Sequence, residues 1–459
     1  MFLKILKSEG LAHNSYLVGE GDAAAVVDPS RDVQRYLDAA SEKGAAIKLI
    51  FETHRNEDYI SGAKELSERT GATVWRGVSP DYDVPYAQTV TEKQQFDLGT
   101  VRLWTLSTPG HTDDSISIAF AHRETGDSAI GVFTGDALFV GDVGRTDFYP
   151  ERRQEVAGLL FDSLHRKLLP LGDQVAVYPA HGTGSVCGAG IAKREFTTLG
   201  YERRHNPRLQ LDREQFIRAK VAEHHYIPPY FQRMEAANQG DEPELGSLPT
   251  CLPLTAREVL EGQGKGTQVL DLRNDQGLAS AFIPKALGIP LDMVSSFGGW
   301  FLDYGRPIIL VLDREQDRSK ALHLLARIGY DNVVGFLAKG LEAWTVAAQP
   351  VETIGGIDVH GLRELLSVRG NDLILLDVRA KDEFEEGYIE SARHVYVGEI
   401  EKRAGELPNG PVITYCATGR RALVAAAALK RVGRADVRVC WGSMKAWKAA
   451  GFPVKQGVG

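Results

Sequence analysis

The side chains best suited to metal chemistry are three histidines and one aspartate, each placed directly after a short apolar segment. They are His54, His111, Asp136 and His181, within THRNEDY, TPGHTDD, TGDALFVGD and PAHGTGS. A lone histidine in such a place is more often structural, but four similar contexts predict one metal site assembled from several loops.

A second candidate for chemistry is Cys416, which follows the apolar run PVITY and opens the loop CATGRR before a predicted helix. A thiol at a helix N-terminus faces the positive end of the dipole and a set of backbone N–H groups. Such surroundings can lower a cysteine pKa from about 8.5 to roughly 3.5 to 7.5, which makes the thiolate available as a nucleophile. We expect the loop, including Gly419, to surround an anionic sulfur species. Arg420 or Arg421 would pair with an oxyanion such as sulfite or thiosulfate.

The elements that must position the metal candidates are predicted strands. NSYLVGEG and AAAVVDP are short β-rich runs, and the helix RDVQRYLDAASEKG separates them from the buried-strand pattern AIKLIFE. The segments VRLWTLSTPG, SAIGVFTG and QVAVYPA repeat that pattern, and each leads into one of the candidate ligands. Because a rigid sheet holds the residues at its strand ends, this arrangement is typical of an active site.

The C-terminal half contains an internal repeat. VLDLRNDQGLASAFIPKA aligns with LLDVRAKDEFEEGYIESA, so that Asp271 and Arg273 match Asp377 and Arg379. Each copy alternates helices with short apolar strands and ends on an Ala-Trp pair. This pattern predicts a tandem duplication of a small α/β domain with a largely parallel sheet.

The first copy of the repeat lacks the candidate nucleophile. Leu312 stands where Cys416 stands in the second copy, and its loop has become acidic through Asp313 and Asp317, with Gln316 beside them. Since an acidic loop repels anions, we predict that the first copy is a structural or docking module.

The four metal-candidate passages resemble the metallo-β-lactamase superfamily, in its glyoxalase II and persulfide dioxygenase branch, over roughly residues 1–240. The first metal loop of that superfamily is THxHxDH, and Asn56 and Tyr59 stand here in place of its second and third histidines. A two-zinc hydrolase of the glyoxalase II type needs those histidines, so the substitutions count against hydrolysis.

The persulfide dioxygenases use one metal, and the resemblance implies His54, His111 and Asp136 as its ligands. Two imidazoles and a carboxylate suit one non-haem Fe(II) per chain, with zinc the less favoured metal. Residues expected to orient the ligands or lie beside the site are Asp58, Tyr59, His181 and Cys187. Candidates for contacting the substrate are Arg203, Tyr230 and Asn238.

The second copy resembles the rhodanese family across residues 356–459. Single-domain rhodaneses commonly show DVRxxxEFxxGHIxGA and the loop CxxGxR; Asp377, Arg379, Glu383 and Phe384 fit this pattern, and Tyr388 stands in place of the usual histidine. Related phosphatases use a longer loop after the cysteine, so the loop from Cys416 to Arg421 favours sulfur over phosphate.

Together the resemblances imply oxidation of a low-molecular-weight thiol persulfide by O2 to sulfite. Sulfur transfer through Cys416 would then give or use thiosulfate, in sulfide detoxification. Two alternatives remain open at this point. One is a zinc thioesterase of the glyoxalase II type with an accessory rhodanese, and the other is a sulfurtransferase whose N-terminal domain is free of metal.

Length and composition predict three domains in the 459 residues. We predict a metallo-β-lactamase αββα sandwich over 1–245, a degenerate rhodanese-like α/β domain over 250–350 and an active one over 356–459. The two smaller domains would each contain a parallel sheet.

The charge and cysteine content limit the partners. The net charge of -8 is spread along the chain without a basic run, which excludes nucleic acid as an expected partner. Four scattered cysteines and the lack of a recognisable signal or membrane span predict a cytoplasmic protein with no membrane partner. From the family we expect a homo-oligomer, a dimer or a tetramer.

Overall fold

The computed structural model describes residues 1–185, 188, 190–241, 245–369 and 372–457. The chain forms two compact units, one of residues 1–247 with 326–329 and one of residues 248–325 with 330–459. Within the described residues, no helix combines the length and apolar character that crossing a membrane requires.

The first unit contains two six-stranded sheets. In the first sheet, β1 to β3 are antiparallel and β3 to β6 are parallel, in sequential order. The central strand β3 is a nearly continuous buried run, as expected for a strand covered on both faces. The strands of this sheet are β1 (Phe2–Ser8), β2 (His13–Glu20), β3 (Ala23–Val27), β4 (Ala46–Glu52), β5 (Thr73–Arg76) and β6 (Ala87–Thr89).

The second sheet of this unit has the order β12-β11-β10-β9-β8-β7 and is antiparallel except between β10 and β11. Its strands are β7 (Gln95–Leu98), β8 (Val101–Ser107), β9 (Ile116–His122), β10 (Gly131–Gly135), β11 (Ala176–Pro179) and β12 (Thr197–Thr198).

Helices cover the outer faces of both sheets. One apolar cluster joins residues of the first and second sheets, including Phe51 and Phe133, while two others join a sheet to its helices. This layering is the predicted αββα sandwich. The helices are α1 (Gln34–Glu42), α2 (Ala63–Thr70), α3 (Arg153–Ser163), α4 (Leu199–His205), α5 (Arg213–Ala222) and α6 (Phe231–Ala236).

The second unit begins with the first copy of the repeat, whose five-stranded parallel sheet has the order β13-β17-β16-β14-β15. Its strands are β13 (Leu252–Leu254), β14 (Gln268–Asp271), β15 (Leu287–Gly288), β16 (Ile308–Val311) and β17 (Val333–Leu337). Its helices are α7 (Ala256–Gly264), α8 (Asp275–Ser280), α9 (Val294–Phe301), α10 (Arg318–Arg327) and α11 (Gly340–Val346).

The second copy has the same topology, in the order β18-β22-β21-β19-β20, and is also parallel throughout. Its strands are β18 (Gly355–Ile357), β19 (Ile374–Asp377), β20 (Arg393–His394), β21 (Val412–Tyr415) and β22 (Val437–Cys440). Its helices are α12 (Val359–Arg369), α13 (Lys381–Glu386), α14 (Ile400–Arg403), α15 (Arg420–Arg431) and α16 (Ser443–Ala449). The duplicated α/β architecture is therefore confirmed, while the domain boundaries between residues 245 and 250 and between 350 and 356 stay predictions.

Candidate metal centre and sulfur-transfer loop

Four strand ends of the first unit bring the predicted metal residues together. His54 follows β4, His111 follows β8, Asp136 follows β10 and His181 follows β11. All four side chains are buried. Because neighbouring strands end at one edge of the sandwich, residues far apart in the sequence meet there.

Three of these side chains form a metal-binding site. Asp136 Oδ2 lies 3.9 Å from His54 Nε2 and 3.6 Å from His111 Nε2. The ligand atoms of the three residues all lie within 4.8 Å of one another. Among the described residues, neither Nε2 atom has a hydrogen-bond partner, although both are buried. Burying such an atom costs roughly 1–3 kcal/mol, so the arrangement fits a bound metal ion.

Hydrogen bonds around His54 leave its Nε2 lone pair free for the ion. The Thr53 hydroxyl donates to Asp28 Oδ2 at 2.8 Å, so it must accept from His54 Nδ1, which lies 2.8 Å away. This network assigns the proton of the neutral imidazole to Nδ1. Asp28 also accepts from the Thr53 backbone N–H at 2.7 Å, which fixes the start of the loop.

His111 is oriented in the same way by a backbone group. Its Nδ1 donates to the Arg145 carbonyl at 2.9 Å, so Nε2 again faces the metal position. The Glu57 carboxylate lies 3.4 Å from that Nε2, and the ring edge of Phe148 covers the imidazole at 5.3 Å between centroids. Burial alone would lower the pKa of His111, but Glu57 and Asp136 raise it above its ordinary value. A metal ion would therefore compete with a proton for this ligand.

The fourth strand-end residue, His181, holds the carboxylate ligand rather than pointing at the same position. Its Nδ1 lies 2.8 Å from Asp136 Oδ1, and its Nε2 lies 3.0 Å from Asp58 Oδ2. Although burial opposes protonation, Asp136 and Asp58 raise the pKa of His181 well above its ordinary value. His181 thus bridges two buried carboxylates, those of Asp136 and Asp58.

The residues that replace the two loop histidines make local contacts. Asn56 Nδ2 donates to the His54 carbonyl at 3.3 Å, and the Tyr59 ring packs on His13 with centroids 4.2 Å apart. Burial raises the pKa of Tyr59 well above its ordinary value, so its hydroxyl stays protonated. With His181 engaged between carboxylates, this side of the loop offers a poor set of donors for a second ion.

The predicted substrate contacts have mixed placements. Asn238 supports the metal-ligand loop, since its Nδ2 donates to the carbonyls of Asn56 and Tyr59 at 2.7 and 2.9 Å, and its contact with the substrate stays a prediction. Tyr230 is buried against Phe231, with ring centroids 5.1 Å apart. Its role at the substrate stays a prediction.

Arg203 and Cys187 are the two remaining predicted residues. Arg203 lies at the surface, where it donates to the Leu169 carbonyl at 2.6 Å and pairs with Asp173 at 3.1 Å. Its role at the substrate stays a prediction. Cys187 lies outside the described residues.

The predicted nucleophile lies at the junction of β21 and α15, as the sequence indicates. Cys416 is buried, and its Sγ accepts a hydrogen bond from the Gly419 N–H at 3.1 Å. Gly419 has a φ of 118°, a left-handed conformation that favours glycine and turns this N–H toward the sulfur. Burial raises the pKa of the nearby Cys440 thiol to about 12, so that thiol stays protonated.

Both arginines of the loop are engaged by carboxylates. Arg421 forms a bidentate pair with Glu383 at 2.6 and 2.7 Å. Arg420 donates to Asp275 and Asp292 of the first copy, at 3.0 Å and at 2.7 and 2.8 Å. Pairing of either arginine with an oxyanion therefore stays a prediction. An oxyanion would have to share the guanidinium with these carboxylates or displace them.

Family models match each part of the chain. Residues 9–181 match the metallo-beta-lactamase superfamily, and residues 255–347 and 360–450 each match the rhodanese-like domain. The first unit therefore contains a metallo-beta-lactamase domain. Two rhodanese-like domains follow this metallo-beta-lactamase domain, so the predicted fusion is confirmed.

Characterised relatives of the metallo-beta-lactamase domain fall in both branches of the resemblance. The mitochondrial persulfide dioxygenase of Bos taurus is 29% identical over 212 residues, covering 44% of this chain and 74% of the relative. The hydroxyacylglutathione hydrolase of Haemophilus influenzae is 26% identical over 229 residues, covering 45% and 97%. A solved metallo-beta-lactamase from Staphylococcus aureus is 29% identical with a TM-score of 0.66, covering 73% of this chain and 98% of its own.

Several residues of the two sites escaped the sequence reasoning. In the metallo-beta-lactamase domain these are Asp28, Thr53 and Glu57, and in the first rhodanese-like domain Asp275 and Asp292. Asp28 ends the predicted strand AAAVVD, a position comparable to those of the ligands, and could have been included on that signal. The sequence offers no comparable sign for Asp275 or Asp292.

Proposed function

We propose that this protein oxidises a low-molecular-weight thiol persulfide with O2 at a mononuclear iron centre and transfers sulfur through Cys416. The observation that carries the proposal is the ligand set of His54, His111 and Asp136, which offers a position for one ion. The position that a second ion would take in a dinuclear site is taken up by His181, which lies between Asp58 and Asp136. Dinuclear hydrolases need both positions, whereas two imidazoles and one carboxylate suffice for non-haem iron oxygenases. Similarity to a persulfide dioxygenase supports this choice.

The protein would hold the ion through His54, His111 and Asp136. Iron, when bound, would supply the redox activity that the reaction of a persulfide with O2 needs. The hydrogen bonds at the two Nδ1 atoms orient each ring so that its Nε2 faces the metal position, and His181 fixes the carboxylate. Complete burial of the ligands keeps bulk water away from the centre.

The overall oxidation balances as one persulfide RSSH, one O2 and one water giving the thiol RSH, sulfite and two protons. At the other site, the Cys416 thiolate attacks the outer sulfur of a second RSSH. A new S–S bond forms between Cys416 Sγ and the outer sulfur of the donor. The S–S bond within the donor breaks, and its electron pair leaves with RS⁻. Sulfite then attacks the same outer sulfur, which releases thiosulfate, one proton and the Cys416 thiolate.

The test is oxygen uptake by anaerobically Fe(II)-loaded protein given glutathione persulfide or, separately, coenzyme A persulfide. We expect His111→Ala to lower bound iron and oxygen uptake by at least roughly a hundredfold, since one of three ligands is lost. His122→Ala is the matched control, because His122 lies at the end of β9, where it pairs with Glu20 at 3.2 Å. It should retain both iron and uptake.

The products separate the two steps of the proposal. Native protein should yield thiosulfate, and Cys416→Ala should consume oxygen at the native rate while sulfite accumulates. Absence of iron-dependent uptake with either persulfide would overturn the dioxygenase. Zinc-dependent thioester hydrolysis that His111→Ala abolishes would instead assign a glyoxalase II type activity.

A further inference from the structure

Arg420 of the sulfur-transfer loop is held by the domain that lacks a nucleophile. Its Nε lies 3.0 Å from Asp275 Oδ2, and its two terminal nitrogens lie 2.8 and 2.7 Å from the two oxygens of Asp292. A guanidinium shared by two carboxylates, one of them bidentate, is held in a fixed direction. The loop arginine thus points into the first rhodanese-like domain.

Arg420 enters the part of the first rhodanese-like domain that corresponds to the Cys416 loop of the second. A cavity of about 210 Å³ lies where the strands β14 and β16 end, and Leu312, the counterpart of Cys416, lines it. Four carboxylates and two cations line this cavity. The charged lining residues are Asp275, Asp292, Asp313, Asp317, Lys320 and Arg420.

Packing beside this contact fixes the two rhodanese-like domains within their common unit. The Trp300 ring lies so close to Gly398 that a Cβ on this glycine would overlap it. Arg431 donates to the Phe301 carbonyl at 3.0 Å. Asp275 and Asp292 therefore meet Arg420 at the partly exposed edge of a packed interface, where the side chains of Arg420 and Asp292 are 40% and 60% exposed.

The pairing changes the charge that a sulfur donor meets. Arg421 is matched by Glu383, and Arg420 is matched by two carboxylates, so two guanidinium groups face three carboxylates. The dianion thiosulfate needs at least one cation to balance its charge. The persulfide group of an organic donor itself carries one negative charge or none, and therefore depends less on a free guanidinium beside the transferred sulfur.

We propose that Asp275 and Asp292 determine which sulfur donor loads Cys416: by holding Arg420, they favour organic persulfides over thiosulfate. This inference rests on the proposed sulfur transfer through Cys416 and names its donor class. The loading step is the one written above, with the outer sulfur moving to Cys416 and RS⁻ leaving. Low affinity for thiosulfate also lets that dianion leave the loop as a product.

The test compares the two donors on the full chain carrying Asp275→Asn and Asp292→Asn together. Freed Arg420 should lower KM for thiosulfate by roughly three- to tenfold, the range expected for one partly exposed charge contact. For glutathione persulfide, kcat/KM should change less than about twofold. Raising the salt concentration should weaken the gain with thiosulfate, because salt screens exposed charges.

Two controls distinguish a held arginine from a general change. Asp317→Asn removes a carboxylate of the same cavity that pairs with Arg314 at 2.8 Å, and it should leave the donor preference unchanged. Adding Arg420→Gln to the double variant should cancel its gain with thiosulfate. Melting temperatures would exclude loss of folding as the cause.

The outcomes separate this inference from the proposed function. If neither donor forms a persulfide on Cys416 of the native protein, the sulfur transfer itself fails. If native protein transfers sulfur but the double variant keeps the native ratio of the two donors, the donor-selecting role of Asp275 and Asp292 is overturned. A gain that survives Arg420→Gln would also overturn it.

Discussion

The two rhodanese-like domains share a scaffold and differ at one loop. In both, an arginine two residues after an aspartate folds back onto it, with Nε to Oδ1 distances of 2.9 Å at Arg273 and at Arg379. Each arginine also donates to a backbone carbonyl eight residues further on. These buried pairs fix the carboxyl end of the second strand in each copy, whatever the neighbouring loop does.

At the loop the copies diverge in both charge and backbone. Cys416 is followed by Gly419 in a left-handed conformation, whereas Leu312 is followed by Glu315 in a short 3-10 turn. Glu315 accepts a hydrogen bond from the Lys339 N–H at 3.0 Å. The comparison teaches that this scaffold accepts different loops at the end of its fourth strand, because the paired aspartate and arginine that fix the sheet lie outside the loop.

The largest expected effect is on sulfur transfer, when the nucleophile that only the second copy has is removed. Cys416→Ser should lower sulfur transfer by roughly a thousandfold or more, since an alcohol has no stable anion at neutral pH and cannot form the persulfide. Transfer from glutathione persulfide to sulfite measures this loss, with oxygen uptake as the control that should persist. Retained transfer would mean that another thiol carries the sulfur.

A second change replaces Gly419 by the residue that the first copy has at this position, Glu315. Gly419→Glu places a side chain at a φ of 118° and a negative charge beside the thiolate, and we expect a roughly ten- to hundredfold loss of transfer. Gly419→Ala separates strain from charge, because it should show a smaller loss in the same assay. Equal losses would indicate that only the backbone conformation matters.

A third prediction concerns the scaffold that the two copies share, and it uses one substitution in each copy. Trp344→Phe and Trp447→Phe each remove a hydrogen bond of 2.8 Å to a proline carbonyl. Each should lower the free energy of unfolding by about 1 kcal/mol, as expected for one buried hydrogen bond. Calorimetry and hydrogen exchange in each domain measure the effect, and markedly unequal losses would break the equivalence of the copies.

The smallest expected effect is none. Leu312→Cys in a Cys416→Ser background should not restore measurable transfer, because Asp313 and Asp317 oppose a thiolate and Glu315 occupies the position of Gly419. Alkylation by iodoacetamide measures the reactivity of the new thiol, and sulfur transfer measures its function. Restored transfer would mean that a cysteine alone distinguishes the two domains.

Much of this molecule was open to prediction from sequence. Periodicity and spacing locate the strands that precede His54, His111 and Asp136, because a buried strand requires an apolar run and a ligand requires a polar residue at its end. The duplication was visible because both copies bury equivalent faces, and their apolar residues therefore recur at matching positions in the sequence. The loop at Cys416 was visible because a cysteine stands between an apolar strand and a predicted helix.

Only the tertiary structure decided how charges pair. A local pattern cannot reveal that Arg420 meets Asp275 and Asp292, which are more than a hundred residues away. It likewise cannot reveal that His181 lies between Asp58 and Asp136, or that Asn238 holds the metal-ligand loop. Side-chain type limits what each group can bind, but its partner depends on which strand ends and helices the fold brings together.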